Sequence, residues 1–435
     1  MIMDKDTIKS ILLKNQEMIP QIPLVRRDVR FEPVGNYVLV GLRRAGKSYM
    51  LYQHIQQRLA DGRSQKEDIL YINFEDDRLG IAKMGELDSI IQSYEELYQR
   101  RKPVVYLDEV QIVEGWEKFV RRLADTGYQV MVTGSNARML SREIATTLGG
   151  RFIVRHIFPF SFAEYLQYKG VCLGEHWQLS DQRTQVRALF TDYFQYGGFA
   201  ETFDRMDKQE WLNWLCQKIV LGDIIARNEI RSTGIIRLLT KKLAESVMQP
   251  MTLMRLTNIL KSTGEKVSRN TVSDYLGYMT EAFMTFRLTN YTDSFSERVT
   301  NCKHYFCDNG LLNNYLIDAQ GKLLENLVAA TLIRRYGGQE EDGLYYYHKG
   351  IEVDFYVPSE GLGIQVSYSL RDYDTRERET GALIKMNKAF SLHRMMIITM
   401  DEEETIRIGR SAPGTLCLAK NAVIEVLPVW KWLLG

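Results

Sequence analysis

Gly41-Leu42-Arg43-Arg44-Ala45-Gly46-Lys47-Ser48 follows the apolar run Tyr37-Val38-Leu39-Val40 and leads into a helix-compatible segment, Tyr49 to Leu59. A G-x-x-x-x-G-K-[ST] octet between a strand and a helix is a phosphate loop in its confirming context. The residue types follow from phosphate chemistry. Gly41 and Gly46 permit backbone angles that side chains forbid, so successive N–H groups turn inward on phosphate oxygens. The new helix adds the positive end of its dipole. Lys47 would reach the β- and γ-phosphates as a point charge, and the Ser48 hydroxyl would hold Mg²⁺. Arg43, Arg44, Ala45 and Tyr49 are expected among the nucleotide-binding residues with them.

A second strand-like run, Val104-Val105-Tyr106-Leu107, ends in Asp108-Glu109. A carboxylate at the tip of such a strand is where a Walker B acid meets the Mg²⁺ shell. Glu109, next to it, is placed to polarise an attacking water as a general base. The two motifs together predict nucleoside triphosphate binding and hydrolysis.

The chain has 435 residues, long for one core, with 56 Lys+Arg against 55 Asp+Glu. Balanced charge gives no global field favouring nucleic acid or anionic lipid. The cysteines (172, 216, 302, 307 and 417) are scattered, and Cys302 and Cys307 lack the second ligand pair of a zinc site. They are read as reduced, partly buried thiols. Met1 to Ser10 alternates charge with apolar residues, unlike a signal peptide, and no run approaches eighteen apolar residues. A cytoplasmic protein that does not enter membranes is expected.

Helix is predicted over 4–19, ended by Pro20 and Pro23, over about 86–100, and over Trp116 to Ala124. Ile69 to Phe74 and Val130-Met131-Val132-Thr133 read as further strands. This alternation predicts an α/β fold, a P-loop NTPase parallel sheet with helices on both faces. Glu75-Asp76-Asp77 would face the ligand side of the sheet, and Ser135 or Asn136 would touch the γ-phosphate or the attacking water. Arg26 and Arg27, before the first strand, could flank the nucleotide base, but the favoured reading is exposed arginines with no task.

Gly41 to Ser48, Leu107-Asp108-Glu109, Thr133-Gly134-Ser135-Asn136, Gly149-Gly150-Arg151 and Pro159-Phe160-Ser161-Phe162 together resemble the AAA-type ATPases of bacteria and archaea that carry a DUF4143 C-terminal region. Tyr196 to Glu201, Asp223-Ile224 and Asp308 to Leu312 fit the same pattern. The resemblance implies ATP as ligand and a sensor strand between the phosphate-loop and Walker B strands. It further implies Arg151 as an arginine finger, in trans in a homo-oligomer, with Arg138, Arg142 and Arg155 as close competitors.

Beyond the ATPase core at 1–158, a helical region is expected over 159–245 and a winged-helix-like domain over 246–315. Asp223, Arg227 and Arg231 fall at i, i+4 and i+8 of one helix face. From 251 to 300 there are six Lys/Arg against five Asp/Glu, without the basic stripe that DNA phosphates require. The last region, 316–435, resembles a PD-(D/E)xK nuclease: Glu325 on a helix, Asp354 on a strand, then Gln365-Val366-Ser367 where an acid and a lysine are needed. With Lys349 and Lys385 as distant substitutes, this small α/β domain is expected to be catalytically degenerate. The expected function is an ATP-driven switch or remodeller of an unknown protein partner. An ATP-dependent nucleic-acid-binding or nuclease-related protein is the alternative.

Overall fold

The structure, a computed structural model, describes residues 4–80, 84–99, 101–136, 146–337, 343–408 and 422–435. It divides into two compact units, Met1–Pro159 with Glu281–Phe283, and Phe160–Thr280 with Met284–Gly435.

The first unit is built on β1 (Asn36–Val40), β2 (Ile69–Asn73), β3 (Val104–Asp108), β4 (Gln129–Gly134) and β5 (Phe152–His156). All pair in parallel, in the order β2-β3-β4-β1-β5. The first four strands are buried along almost every residue, the pattern of a parallel sheet covered on both faces. Alternation sorts the faces. Val38, Leu70, Ile72, Val105 and Val130 pack with α1 (Lys5–Met18), α3 (Asp88–Leu97) and α4 (Trp116–Asp125). Tyr71 and Tyr106, on the other face, meet Tyr52 and His54 of α2 (Lys47–Ala60).

Local chemistry fixes the helix ends. Asp4 caps α1 by accepting from the Thr7 N–H at 2.9 Å. In α4, Trp116, Phe119, Val120 and Leu123 recur at helical spacing and are all buried. Burying each such side chain contributes about 1.5–3 kcal/mol, so Phe119→Ala should cost about 3–5 kcal/mol.

The second unit begins with α5 (Phe162–Tyr168), α6 (Gln182–Tyr196), α7 (Lys208–Lys218) and α8 (Thr233–Glu245). Phe162, Tyr165, Phe190, Tyr193 and Phe203 stack into one aromatic core. The chain after α7 winds as a π-helix over Ile219–Ala226. The expected charge ladder therefore breaks. Asp223 and Arg227 pair at 3.2 Å, but Arg231 lies past the last helical turn and off that face.

Next come β6 (Met251–Thr252), α9 (Leu253–Ser262), α10 (Arg269–Glu281), β7 (Thr285–Leu288), α11 (Phe295–Thr300) and β8 (Asn301–Phe306). The three strands join in the order β6-β8-β7. After α12 (Asn309–Asn313) and α13 (Gln320–Tyr336), the chain forms β9 (Tyr345–His348), β10 (Glu352–Val357), β11 (Leu362–Val366), α14 (Tyr373–Phe390), β12 (Arg394–Thr399), β13 (Glu404–Arg407), β14 (Val423–Pro428) and α15 (Val429–Trp432). Their sheet runs β13-β14-β12-β11-β10-β9.

Three chain segments of this unit meet at Asp308, whose two carboxylate oxygens accept from the N–H groups of Gly198 and Gly310, each at 2.8 Å. A Cβ on Gly198 would lie 2.0 Å from the Phe160 carbonyl oxygen, and one on Gly197 (φ +73°) 1.7 Å from the Asp308 carboxylate. Only glycine fits there. Burial lifts the Asp308 carboxyl to about 6.

Candidate active site

Because β4 lies between β1 and β3, the carboxyl ends of the three strands are neighbours. They deliver the phosphate loop, Ser135-Asn136 and Asp108-Glu109 to one sheet edge, where ligands bind in open α/β sheets. Gly41 has no room for a side chain, since a Cβ would sit 2.1 Å from the Ile157 carbonyl oxygen. Arg44 and Gly46 take left-handed angles (φ +66° and +94°), which curls the loop before α2 starts at Lys47. The Lys47 ammonium donates to the carbonyls of Gly41 (3.2 Å) and Leu42 (3.1 Å) and lies 3.7 Å from a Glu109 oxygen.

Asp108 is fully buried, and three hydroxyls serve its carboxylate: Thr133, Tyr71 at 2.7 Å, and Ser48. Burial pushes its carboxyl above the ordinary value, and those hydrogen bonds pull the other way. Burial and the Asp108 charge keep the Tyr71 phenol protonated, so it acts as donor, and Tyr52 stands 3.2 Å behind it. The Thr133 hydroxyl has two tasks. It donates to Asp108 and accepts the Glu109 N–H at 3.0 Å, holding Glu109 in a left-handed conformation (φ +53°). The Glu109 carboxylate accepts from Gln111 Nε2 at 2.5 Å, and the same nitrogen reaches the Ser135 hydroxyl at 3.3 Å. Glu109 is thus held between the loop lysine and the end of β4.

The donor set suits a hard divalent cation. One hydroxyl and one carboxylate, both oxygen, are what Mg²⁺ takes from protein when phosphates and water complete its shell. Among the described residues no group of three or more His, Cys, Asp or Glu is placed to hold a metal by itself.

Other residues stand as follows. Ser135 and Asn136 are buried beyond the tip of β4. Ala45 is buried in the loop, Arg43 lies 3.6 Å from Glu75, and Tyr49 is exposed beside Tyr52. Asp76 caps a turn and pairs with Arg78 at 2.5 Å, so it is engaged away from the loop.

Arg27, expected on the surface, is buried instead. Its guanidinium donates to the carbonyls of Ala45 (3.1 Å) and Phe158 (2.9 Å), bracing the phosphate loop from behind. Arg151 is at the other end of the sheet. It precedes β5, whose Phe152 pairs with Asn36 at the start of β1, and it binds Asp125 at 2.5 Å. The phosphate loop leaves β1 five residues later, roughly 16 Å away at the rise of a strand. Arg151 is therefore excluded from its own chain's loop. Arg138 and Arg142 lie outside the described residues.

In the second unit Glu325 and Asp354 do approach one another, around a residue that sequence reasoning passed over. Lys303 of β8, wholly buried, lies 3.6 Å from Glu325, 3.3 Å from Asp354 and 2.8 Å from Glu352. Lys349 and Lys385 are exposed. Gln365 uses its amide on the neighbouring strand: Oε1 accepts the Asp354 N–H at 2.8 Å and Nε2 donates to the Glu352 carbonyl at 3.0 Å. A carboxylate could make only the first of these bonds. The signal for Lys303 was present, a lysine inside the strand-like run Cys302-Lys303-His304-Tyr305-Phe306.

No helix among the described residues is long and apolar enough to cross a membrane. Residues 35–166 match the family model of an AAA domain. Residues 187–322 match a domain of unknown function, DUF8612, in place of the expected DUF4143. Among solved structures the chain is similar to the Walker-type ATPase PABY2304 of Pyrococcus abyssi, at 13% identity, covering 73% of this chain and 96% of that one, with a TM-score of 0.42. It is also similar to the Aeropyrum pernix ORC1 protein in complex with DNA, at 13% identity, 76% and 94% coverage, and a TM-score of 0.28. An uncharacterized protein of Haemophilus influenzae is 31% identical over 91% of this chain and 94% of its own length. The uncharacterized protein MJ1544 of Methanocaldococcus jannaschii is 32% identical over all of this chain and 96% of its own. The chain thus carries an AAA domain and belongs to the protein family that includes MJ1544.

Proposed function

We propose that this protein binds ATP with Mg²⁺, hydrolyses it, and uses the cycle to switch or remodel a protein partner. One observation carries the reading: Lys47 and Ser48 of the loop converge on Asp108 and Glu109 across an intervening strand. Ser48 and Asp108 would hold Mg²⁺, which when bound neutralises charge on the phosphates. Lys47 would exchange Glu109 for the γ-phosphate, a stronger anionic partner. Glu109, released from Lys47, would orient and deprotonate the attacking water. Asn136 would contact the γ-phosphate, and Arg151 would act only on a neighbouring copy's nucleotide. We further read α8 to β8 as a winged helix serving protein packing, because α10 carries one arginine against one aspartate and one glutamate. The test is ATP turnover by the parent and Glu109→Gln, with Mg²⁺ and with EDTA. Parent-level turnover by Glu109→Gln would overturn the assignment. Capture of a partner by Glu109→Gln with ATP, and not with ADP, would identify the switch.

A further inference from the structure

Lys303 has the environment of a bound ion. Its side chain has no solvent exposure, and its ammonium lies within 3.6 Å of three carboxylates. The Tyr346 ring adds a cation–π contact at 5.4 Å. These partners come from α13, β9 and β10, so one ammonium on β8 ties together four elements of the second unit. We propose that the Lys303 ammonium is the resident cation of this cluster, and that the carboxylates, which as arranged hold no metal, can draw together on a divalent cation only when that charge is removed.

Charge and space both support it. Asp354 and Glu352 supply anions, and Asp354 also accepts the Val366 N–H at 2.9 Å. Glu325 accepts from the Tyr305 hydroxyl at 2.6 Å on one oxygen, while its other oxygen is buried with no hydrogen-bond partner. That spare oxygen is the ligand a metal would use. The ammonium lies 2.8 Å from Glu352 and 3.3 Å from Asp354, closer to both than to Glu325 at 3.6 Å. An entering Mg²⁺ or Mn²⁺ would meet a fixed like charge in the place it must occupy. The lysine cannot swing aside, since its stem is enclosed. Gln365 adds no anion, and both ends of its amide are used on the β10 backbone. The unit is then a nuclease-shaped scaffold with a built-in cation, held together without metal.

The test is Mn²⁺ binding to the full chain without nucleotide, by calorimetry and by the electron paramagnetic resonance of free Mn²⁺. The Asp354-dependent part isolates this cluster from the phosphate loop. In the parent, Asp354→Asn should leave Mn²⁺ binding unchanged. Lys303→Ala should gain one site per chain, at least tenfold tighter than any the parent has here, and the gain should vanish in Lys303→Ala with Asp354→Asn. If Lys303→Ala does not fold, Lys303→Met keeps the stem and removes the charge. Its melting temperature should rise with Mn²⁺ and not with Na⁺. Parent Mn²⁺ binding, or plasmid cleavage, that Asp354→Asn abolishes would overturn the proposal. So would the absence of any gain in either lysine variant.

Discussion

Lys47 in the first unit and Lys303 in the second are both buried, at 4% and 0% exposure, and both lie beside carboxylates. Their surroundings differ in kind. Lys47 sits in a curled loop, where it donates to two carbonyls and lies 3.7 Å from one carboxylate. Lys303 has three acidic side chains and a ring face. A buried charge in a loop shaped to receive phosphate gains from an incoming anion, whereas one already matched by several acids within a core gains little. The first arrangement suits a ligand site and the second suits a rivet.

Exchanging the two losses gives the largest expected effect. Lys47→Ala should abolish tight ATP binding and leave the melting of the second unit unchanged. Lys303→Ala should leave ATP binding intact and destabilise the second unit by about 3–5 kcal/mol, the usual cost of an orphaned buried charge. Nucleotide titration with thermal melting reads both, and a stability loss of equal size in both variants would erase the contrast.

Glu109→Gln should retain ATP and lose turnover by about 10²–10⁴-fold. Tyr71→Phe should cost about tenfold in turnover at limiting Mg²⁺, because Asp108 loses a hydrogen bond to its charge. Recovery at high Mg²⁺ would mark Tyr71 as a positioning residue, and no change at any Mg²⁺ would remove it from the site.

The pH dependence sharpens the second half of the contrast. The Glu325 carboxyl is raised from 4.5 to about 8, chiefly by burial and next by Asp354. Between those values the folded chain holds a proton that the unfolded chain has released. The stability this group contributes is full below about pH 4.5 and lost as pH rises through about 8. Melting of the parent should fall across that window, and Glu325→Gln should flatten the fall by a few degrees. Identical slopes in parent and variant would refute the assignment. The smallest effect is expected of Arg151→Ala, a several-fold loss of turnover in concentrated protein that disappears on dilution. A loss independent of concentration would contradict action on a neighbouring copy.

The strand–loop–helix around Lys47 was legible because its signal is local: the glycines, the lysine and the flanking apolar runs lie within about 25 residues. The parallel sheet was legible from alternation, and its helices on both faces followed. What escaped depends on register. Tyr71 serves Asp108 because β2 and β3 pair Tyr71 with Tyr106, one step along the same face. Arg151 lies far from the loop because β5 pairs in parallel with β1. Lys303 joins Asp354 across 51 residues and two sheets, and no spacing rule spans that distance. Arg27 looked like half of a solvated pair. Only the fold brings Ala45 and Phe158 to it.

The glycine turn at Gly197-Gly198 also governs when the second unit can form. Its backbone is fastened by Asp308, 110 positions later in the chain, and Gly310 is pinned by the same carboxylate. On a ribosome, helices α5 to α8 emerge long before their fastener does, so the aromatic core must wait loosely packed until about residue 310 has been made. Contacts of such long sequence separation form slowly and leave apolar surface open meanwhile. The strands of the first unit are all made by His156, and only Glu281–Phe283 of that unit come later. During synthesis the nucleotide-binding sheet can therefore pair long before Asp308 exists to fasten the turn of the second unit.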